Sequence, residues 1–265
     1  MNDFEFHRPA SVADALGLMA AAADGRYLAG GQSLLPAMKM GLSMPTDLVE
    51  LSRVAGLSGI TVADGAVRIG AATRHTEVAA SAQVRDAIPA LADLADRIGD
   101  RAVRNRGTLG GSLALNDPAA CYPAAVLGLG ATVHTDRRAI AADDFFTGLY
   151  ETALAPGELI VAVSFPVPER AAWVKFKQPA SRFSLVGVFV ARGPAGVRVA
   201  VTGAASHVFR ARAFEQALAT RWSPEACAGL ALPADGLNAD LHASAEYRAH
   251  LVGVLCTRAV AQAGH

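Results

Sequence analysis

Residues 28–35 read LAGGQSLL, and residues 108–115 read TLGGSLAL. Each stretch contains a glycine pair followed by serine and leucine, and the two pairs lie 80 positions apart. Glycine has no Cβ atom, adopts positive φ at little cost and lets a ligand approach the backbone closely. Each pair by itself has a second interpretation, an ordinary tight turn. The two stretches together favour a ligand that the backbone contacts at two places.

Consecutive backbone N–H groups in such turns form a concave site for anions. The candidate donors are the N–H groups of Gly30, Gly31, Gln32, Ser33, Gly110, Gly111 and Ser112, with the Thr108 hydroxyl beside the second set. Neither stretch ends in Gly-Lys-Ser/Thr, which argues against a Walker-type triphosphate site. A pyrophosphate held by neutral donors fits better, as in a dinucleotide cofactor. These residues do not indicate whether the cofactor is a flavin or a nicotinamide dinucleotide.

The chain around the first pair predicts a β-α-β unit. A strand at 4–6 precedes a helix that Ser11 caps and Gly25 ends, and a second strand at 27–29 runs into the glycines. In a Rossmann fingerprint the glycines follow the first strand, so their position here argues against that fold.

The remaining pattern predicts further elements and a boundary near Pro166 and Pro168. A second set of strands is expected at 47–51, 60–62 and 67–69. Helices are expected at 89–98 and 123–128. A hairpin at 131–134 and 138–141 and a strand at 159–165 follow in order. Beyond the prolines, strands at 173–177, 185–190 and 197–201 precede helices at 208–219 and 245–261. That order predicts a separate α+β layer.

Composition excludes several classes of protein. The 265 residues are 52% hydrophobic, and 24 basic residues balance 24 acidic ones. This length and apolar content are enough for two domains. We expect no nucleic-acid partner, because the charge is balanced. No apolar run predicts a membrane span, and the acidic start is unlike a secretory leader, so a cytoplasmic protein is expected. The three cysteines and seven histidines show no ligand spacing, so no metal is expected in this chain.

Several segments together resemble a known family. They are AGGQSLLPAMKMGLSMPTDLVEL at 29–51, IGAATRHTEV at 69–78, VRNRGTLGGSLALNDPAACYPAAVLGLGA at 103–131, FFTGLYETALAPGELIVAVSFP at 145–166 and KFKQPASRFSLVGV at 175–188. In order and spacing they resemble the FAD-binding medium subunit of molybdenum hydroxylases, the xanthine dehydrogenase and carbon monoxide dehydrogenase family. The resemblance covers residues from about 4 to about 262.

The resemblance implies an α+β fold with an FAD-binding domain of the vanillyl-alcohol-oxidase (PCMH) type. That domain would span 1–168, in two subdomains of about 1–55 and 56–168, and a smaller α+β domain would span 169–265. The implied cofactor is FAD, clasped from two sides. The implied binding residues are Ala29, Gly30, Gly31, Gln32, Ser33, Leu34, Thr108, Leu109, Gly110, Gly111, Ser112, Asp117, Ile160 and Lys177.

Some of these assignments leave alternatives open. Ile160 aligns with an apolar position near the flavin ring, and Lys177 with a lysine near the cofactor, although Lys175 competes for that role and a solvated lysine is the other interpretation. Members often carry an acid where this chain has Cys121, and a thiol does not replace a carboxylate as a hydrogen-bond acceptor. Either a contact with the cofactor is lost, or Asp117 or a water substitutes.

Other polar residues near the motifs have two interpretations each. His75 is either a cofactor contact or a structural histidine of its loop, and Arg74 lies beside it. Arg101, Arg104 and Arg106 precede the second glycine pair and would contact phosphate, solvent or another subunit. We nominate no general acid or base, because the implied chemistry belongs to the cofactor.

The resemblance implies an electron-transfer subunit. A large partner subunit would carry molybdopterin-bound molybdenum, and a small one two [2Fe–2S] clusters that deliver electrons to FAD and on to an external acceptor. The expected assembly is a dimer of heterotrimers. Two alternatives are a stand-alone FAD-dependent reductase or oxidase, resembling the enolpyruvyl-glucosamine reductase of cell-wall synthesis, and a non-catalytic assembly subunit that has lost FAD.

Overall fold

A computed structural model describes residues 2–194 and 196–264 of the chain. It contains three main β-sheets in chain order, with helices packed on and between them. The α+β class expected from the sequence is confirmed.

The first sheet is small and parallel. Its elements are β1 (Glu5–His7), α1 (Val12–Ala21), β2 (Gly25–Leu28), α2 (Leu34–Lys39) and β3 (Asp47–Glu50), and the strand order is β1-β3-β2. The β-α-β unit is present, but its two strands are not neighbours. The strand expected to begin a second set is instead the central strand of this sheet. Its Leu48 and Val49 side chains are buried, as a central position requires.

The second sheet is antiparallel and contains the strands β4 (Ile60–Ala63), β5 (Ala66–Gly70), β6 (Thr132–Thr135), β7 (Ala139–Ala141) and β10 (Ile160–Pro166). Their order is β4-β5-β10-β6-β7. The last strand in sequence thus lies at the centre, paired with β5 and β6. The predicted hairpin of β6 and β7 is confirmed. A separate small hairpin joins β8 (Phe146–Gly148) and β9 (Glu151–Thr152).

Helices fill the long connections of this second unit. They are α3 (His75–Ala80), α4 (Ala82–Ala87), α5 (Pro89–Asp96), α6 (Arg101–Arg104), α7 (Leu109–Leu115), α8 (Tyr122–Leu129) and α9 (Ala142–Phe145). All eight residues of α8 are buried. A helix that is apolar on every side belongs inside the core. It packs between the second sheet and the third.

The third sheet is antiparallel, in the order β11 (Arg170–Lys177), β12 (Ser184–Gly193), β13 (Gly196–Thr202) and β14 (Phe209–Arg210). It is followed by α10 (Arg212–Thr220), a 3-10 turn (Pro224–Cys227) and α11 (Ala245–Gln262). The prediction of a helix over 208–219 was wrong at its start. Phe209 and Arg210 pair with β13, and the Ala211 N–H donates to the Val199 carbonyl, so the helix begins only at Arg212.

The second and third sheets share one hydrophobic core, in which Trp173 and Phe189 pack with residues of α8 and β10. A second core lies between the third sheet and α10 and α11. Arg198 joins the two units, because its guanidinium donates to the Leu127 carbonyl at 2.7 Å and to both oxygens of Asp143 at 2.7 and 2.8 Å. Within 2–194 and 196–264, no helix has the length and apolar character needed to span a bilayer.

Candidate functional site

A cleft of about 460 Å³ lies where the first sheet, the second sheet, α7 and the loop after β11 meet. Its walls are mostly apolar. The predicted residues that line it are Ala29, Gly30, Gly31, Gln32, Ser33, Leu34, Thr108, Gly110, Gly111, Ser112, Asp117 and Ile160. Leu109 is fully buried in the core, and Lys177 is exposed outside the cleft. The two glycine-rich stretches, distant in sequence, therefore form one site.

The first glycine pair forms a turn whose backbone N–H groups donate no hydrogen bond to the described residues. Gly31 has φ +72°, and its chain then enters α2. This left-handed conformation favours glycine. Among the described residues, the backbone N–H groups from Gly30 to Leu34 have no protein acceptor. Five consecutive N–H groups on the wall of a cleft are suited to binding a phosphate or another anion.

The second glycine pair is not a loop. Gly110 and Gly111 lie in the first turn of α7, whose N-cap is Thr108. The Gly110 N–H donates to the Ala71 carbonyl at 2.8 Å, and the Gly111 N–H donates to the Thr108 hydroxyl at 3.2 Å. The Ser112 N–H donates to the Thr108 carbonyl. These N–H groups already have partners, so the expectation of two equivalent anion-binding turns does not describe this structure.

The glycines also allow the two stretches to pack against each other. A Cβ on Gly30 would overlap the Arg106 carbonyl oxygen and lie 2.6 Å from the Gly107 Cα. A Cβ on Gly110 would lie 2.6 Å from the Ala71 Cβ. Real Cβ atoms do not come this close to other heavy atoms. One role of the glycines is thus to bring the two sides of the cleft together.

His75 lies in the cleft wall behind the second stretch. Its backbone N–H donates to the Gly107 carbonyl at 3.0 Å, and a Cβ on Gly107 would lie 2.5 Å from its Nε2. Burial, with a smaller contribution from the nearby Arg104 charge, lowers the pKa of His75 to about 4. The imidazole is therefore neutral at neutral pH. Its Nδ1 is buried and has no hydrogen-bond partner in the described part of the chain.

The four arginines considered from sequence do not line the cleft. The Arg104 guanidinium donates to the carbonyl groups of Ile98 and Gly99, so it has a structural role at the end of α5. Arg74 is the N-cap residue of α3, and Arg101 begins α6. Arg106 contributes its backbone carbonyl to the contact with Gly30.

Asp117 and Cys121 both line the cleft. The Asp117 carboxylate accepts the Ala119 N–H at 2.8 Å. Burial raises the pKa of Asp117, and hydrogen bonds from Ala119 and from the Tyr150 hydroxyl oppose that increase. Tyr150 has a φ of 55°. This left-handed conformation is strained for a residue with a side chain. The structure thus places a carboxylate in the cleft a few residues before Cys121.

Lys175 lies beside Cys121. Its Nζ donates to the carbonyl groups of Arg97 and Arg182, both at 2.8 Å, and to the Cys121 Sγ at 3.4 Å. One ammonium group therefore joins the end of α5, the start of α8 and the loop after β11. Of the two lysines weighed from sequence, Lys175 lines the cleft and Lys177 does not.

The cleft residues that the sequence did not predict include two groups with polar or aromatic side chains. Ser181, Arg182 and Phe183 belong to the loop between β11 and β12, and the Phe183 ring is 48% exposed. Glu158 is held by two hydrogen bonds of 2.9 Å from Arg138, which lower its pKa to about 2. Both lie in segments that resemble the family, but no local pattern marks these side chains as cleft residues.

Among the residues that the structure describes, one cluster of possible metal-ligand type lies outside the cleft, on the first sheet. Glu5, His7 and Asp47 bring one ligand atom each to within 4.8 Å of the others. The 2.8 Å hydrogen bond between His7 Nε2 and Asp47 Oδ1 accounts for this proximity. The three residues lie close together because Glu5 is paired in register with Asp47 across β1 and β3, and His7 is two positions after Glu5 on the same strand.

Comparisons with known proteins support the resemblance seen in the sequence. A family model described as the FAD binding domain in molybdopterin dehydrogenase matches residues 2–168. The nicotine 6-hydroxylase medium subunit of Paenarthrobacter nicotinovorans is 37% identical, with 97% of this chain and 95% of the relative covered. The carbon monoxide dehydrogenase medium chain of Hydrogenophaga pseudoflava is 32% identical over 97% of this chain and 96% of its own.

A solved structure has the same fold. Reconstituted carbon monoxide dehydrogenase from Oligotropha carboxidovorans contains a chain that matches with a TM-score of 0.89 and 31% identity, covering 99% of this chain and 98% of that one. The resemblance stated from the sequence is confirmed, and so is the fold class that it implied.

Proposed function

This chain belongs to the family of FAD-binding domains of molybdopterin dehydrogenases, and we propose that it is the flavin-carrying electron-transfer subunit of a heterotrimeric molybdenum hydroxylase. A small partner subunit supplies electrons from [2Fe–2S] clusters, and a large one carries the molybdenum cofactor and the substrate. The complex is a cytoplasmic dimer of such heterotrimers. We also propose that the chain is divided into an FAD-binding domain of two subdomains, about 1–55 and 56–168, and a smaller domain at 169–265.

The observation that carries this proposal is the set of free N–H groups between Gly30 and Leu34, on a cleft wall that a Cβ at Gly30 would distort. Neutral donors in a row suit a pyrophosphate, which links the two halves of FAD. The largely apolar lining suits the planar rings at both ends of that cofactor. The residues present thus fit the cofactor that the family binds.

The protein's own contribution is binding and positioning. Bound FAD supplies the ability to accept electrons from one carrier and pass them to another. The N–H groups of the first stretch would hold the pyrophosphate, and Thr108, which caps α7, lines the other side of the cleft. Lys175 holds the loop of 178–183 against the cleft, and Ile160 would provide an apolar surface for the flavin ring. The neutral His75 adds no charge to the wall.

The experiment is to express the chain with the genes that neighbour its own, purify it, record an absorption spectrum and measure bound metals. Flavin absorption together with iron–sulfur absorption and molybdenum in the same complex is the expected result. A metal-free flavoprotein with turnover of its own would contradict the proposal and favour a stand-alone reductase or oxidase. A colourless protein that still binds partners would favour an assembly role.

A further inference from the structure

Two cysteines outside the cleft lie in contact. Cys227 ends the 3-10 turn, and Cys256 lies in the middle of α11, 29 positions later. Their sulfur atoms are 3.6 Å apart, and the two residues are 2% and 0% exposed. Both belong to the core between the third sheet and its helices. This pair plays no part in the proposed electron transfer.

The separation is short enough for a covalent bond to form after a small adjustment. A disulfide has an S–S length of about 2.05 Å, so the sulfur atoms need to approach by about 1.5 Å. The 3-10 turn that carries Cys227 is only four residues long, and the Ser223 hydroxyl caps it at 3.3 Å from the Ala226 nitrogen. A short turn of this kind moves more readily than the eighteen-residue helix that carries Cys256.

The thiol hydrogen bond also distinguishes the two sulfur atoms. The bond from Cys256 lowers the pKa of Cys227, and the same contact together with burial raises the pKa of Cys256. A proton lost from the pair therefore leaves its negative charge on Cys227. The thiolate is the nucleophilic form of cysteine.

We propose that Cys227 and Cys256 are a reversible dithiol–disulfide pair that a peroxide oxidises. The Cys227 thiolate attacks one oxygen of hydrogen peroxide, the O–O bond breaks, and the products are a sulfenic acid and hydroxide, which takes up the proton lost by Cys227 to form water. The Cys256 sulfur then attacks the sulfenic sulfur, the S–S bond forms, and the second oxygen leaves as water with the Cys256 proton. Two thiols and one peroxide thus give one disulfide and two waters.

The third cysteine provides an internal control. Cys121 contacts the Lys175 ammonium and the Ser184 hydroxyl, and among the described residues no other sulfur lies beside it. Its thiol can be oxidised, but it cannot form an intramolecular disulfide in this structure. Cross-linking of the other two cysteines therefore distinguishes a pair from general thiol reactivity.

The test uses the full chain treated with hydrogen peroxide, alkylated under denaturing conditions and mapped as peptides by mass spectrometry. Peptide mapping is preferable to intact mass, because Met40 and Met44 are 67% and 64% exposed. Exposed methionines take up oxygen from peroxide as well. The expected result is a peptide pair joined through Cys227 and Cys256, lost on adding dithiothreitol. C121A retains this link, and C227A lacks it.

A second measurement follows stability. A cross-link that closes this loop restricts the unfolded chain, so oxidised wild type is expected to melt at least about 3 °C above the reduced protein. C227A, which cannot form the link, is expected to show no such shift. Complete alkylation of Cys227 and Cys256 in a sample whose Met40 is oxidised would overturn the proposal, and so would a sulfinic acid at Cys227 without a link. Mapping wild type alone gives this answer even if a variant does not fold.

Discussion

Gly30 lies directly against the carbonyl group of Arg106, and this contact joins the two glycine-rich stretches of the chain. A side chain at position 30 would overlap that carbonyl group and force the stretches apart. The N–H groups that follow Gly30 would then move away from the opposite wall of the cleft. The contact explains why position 30 requires glycine, since a side chain there would displace the N–H groups of the proposed pyrophosphate site.

Gly30→Ala is expected to weaken FAD binding by about fivefold to 150-fold, because an overlap of this kind costs about 1–3 kcal/mol. The measurement is FAD affinity of the reconstituted chain, followed by flavin fluorescence. Gly17→Ala is the matched control, since Gly17 lies in α1 and an added Cβ would meet no atom within 4 Å apart from the neighbouring backbone of its own helix. That control should keep FAD and gain about 0.5–1 kcal/mol of stability. Equal affinity in both variants would contradict the role of Gly30.

Thr108→Val removes the hydroxyl that caps α7, on a residue that lines the cleft. Loss of an N-cap is expected to lower the free energy of unfolding by about 1 kcal/mol. Ser11→Ala removes a comparable cap on α1, where the hydroxyl accepts the Asp14 N–H at 3.1 Å. Both variants should lose similar stability in urea unfolding, but only Thr108→Val should also bind FAD more weakly. A parallel loss of FAD affinity in Ser11→Ala would show that the effect is general destabilisation.

Lys175 and Lys177, two positions apart, allow a variant inside the cleft to be compared with a matched variant outside it. Lys175→Met leaves the Arg97 and Arg182 carbonyl groups without their donor, so the loop of 178–183 is expected to become sensitive to proteolysis and FAD to bind less tightly. Lys177→Met removes an exposed lysine outside the cleft and should change neither. Limited proteolysis with mapping of the cut sites measures the first effect. The opposite pattern, with only Lys177→Met affecting the flavin, would assign the cofactor contact to Lys177.

His75 is expected to remain neutral well below neutral pH. Its pKa is about 4 in the folded protein and near 6.5 when exposed, so the unfolded chain binds this proton first as pH falls. The stability that His75 contributes is complete above about pH 6.5 and is lost as pH falls towards 4. NMR titration of the imidazole resonances measures the pKa directly. A midpoint near 6.5 would contradict the buried, neutral state.

Local sequence was sufficient for the type of most elements. The apolar spacing predicted α1, α5, α8 and α11 and most strands, because helices and strands differ in the period with which side chains face a core. It did not place β3 at the centre of the first sheet or β10 at the centre of the second. Strand order depends on which distant segments pair, and no local period contains that information.

From the sequence, the two glycine pairs predicted a site for a pyrophosphate, and the family resemblance named FAD as the one cofactor that both pairs would hold. Only the tertiary structure decided which N–H groups remain free, because the acceptors that occupy those of Leu109 and Gly110 are the distant carbonyl groups of Thr73 and Ala71. It also distinguished Lys175 from Lys177. The two share one face of an ideal strand, but the pairing of β11 with β12 shifts register between Phe176 and Lys177, so only Lys175 reaches the cleft.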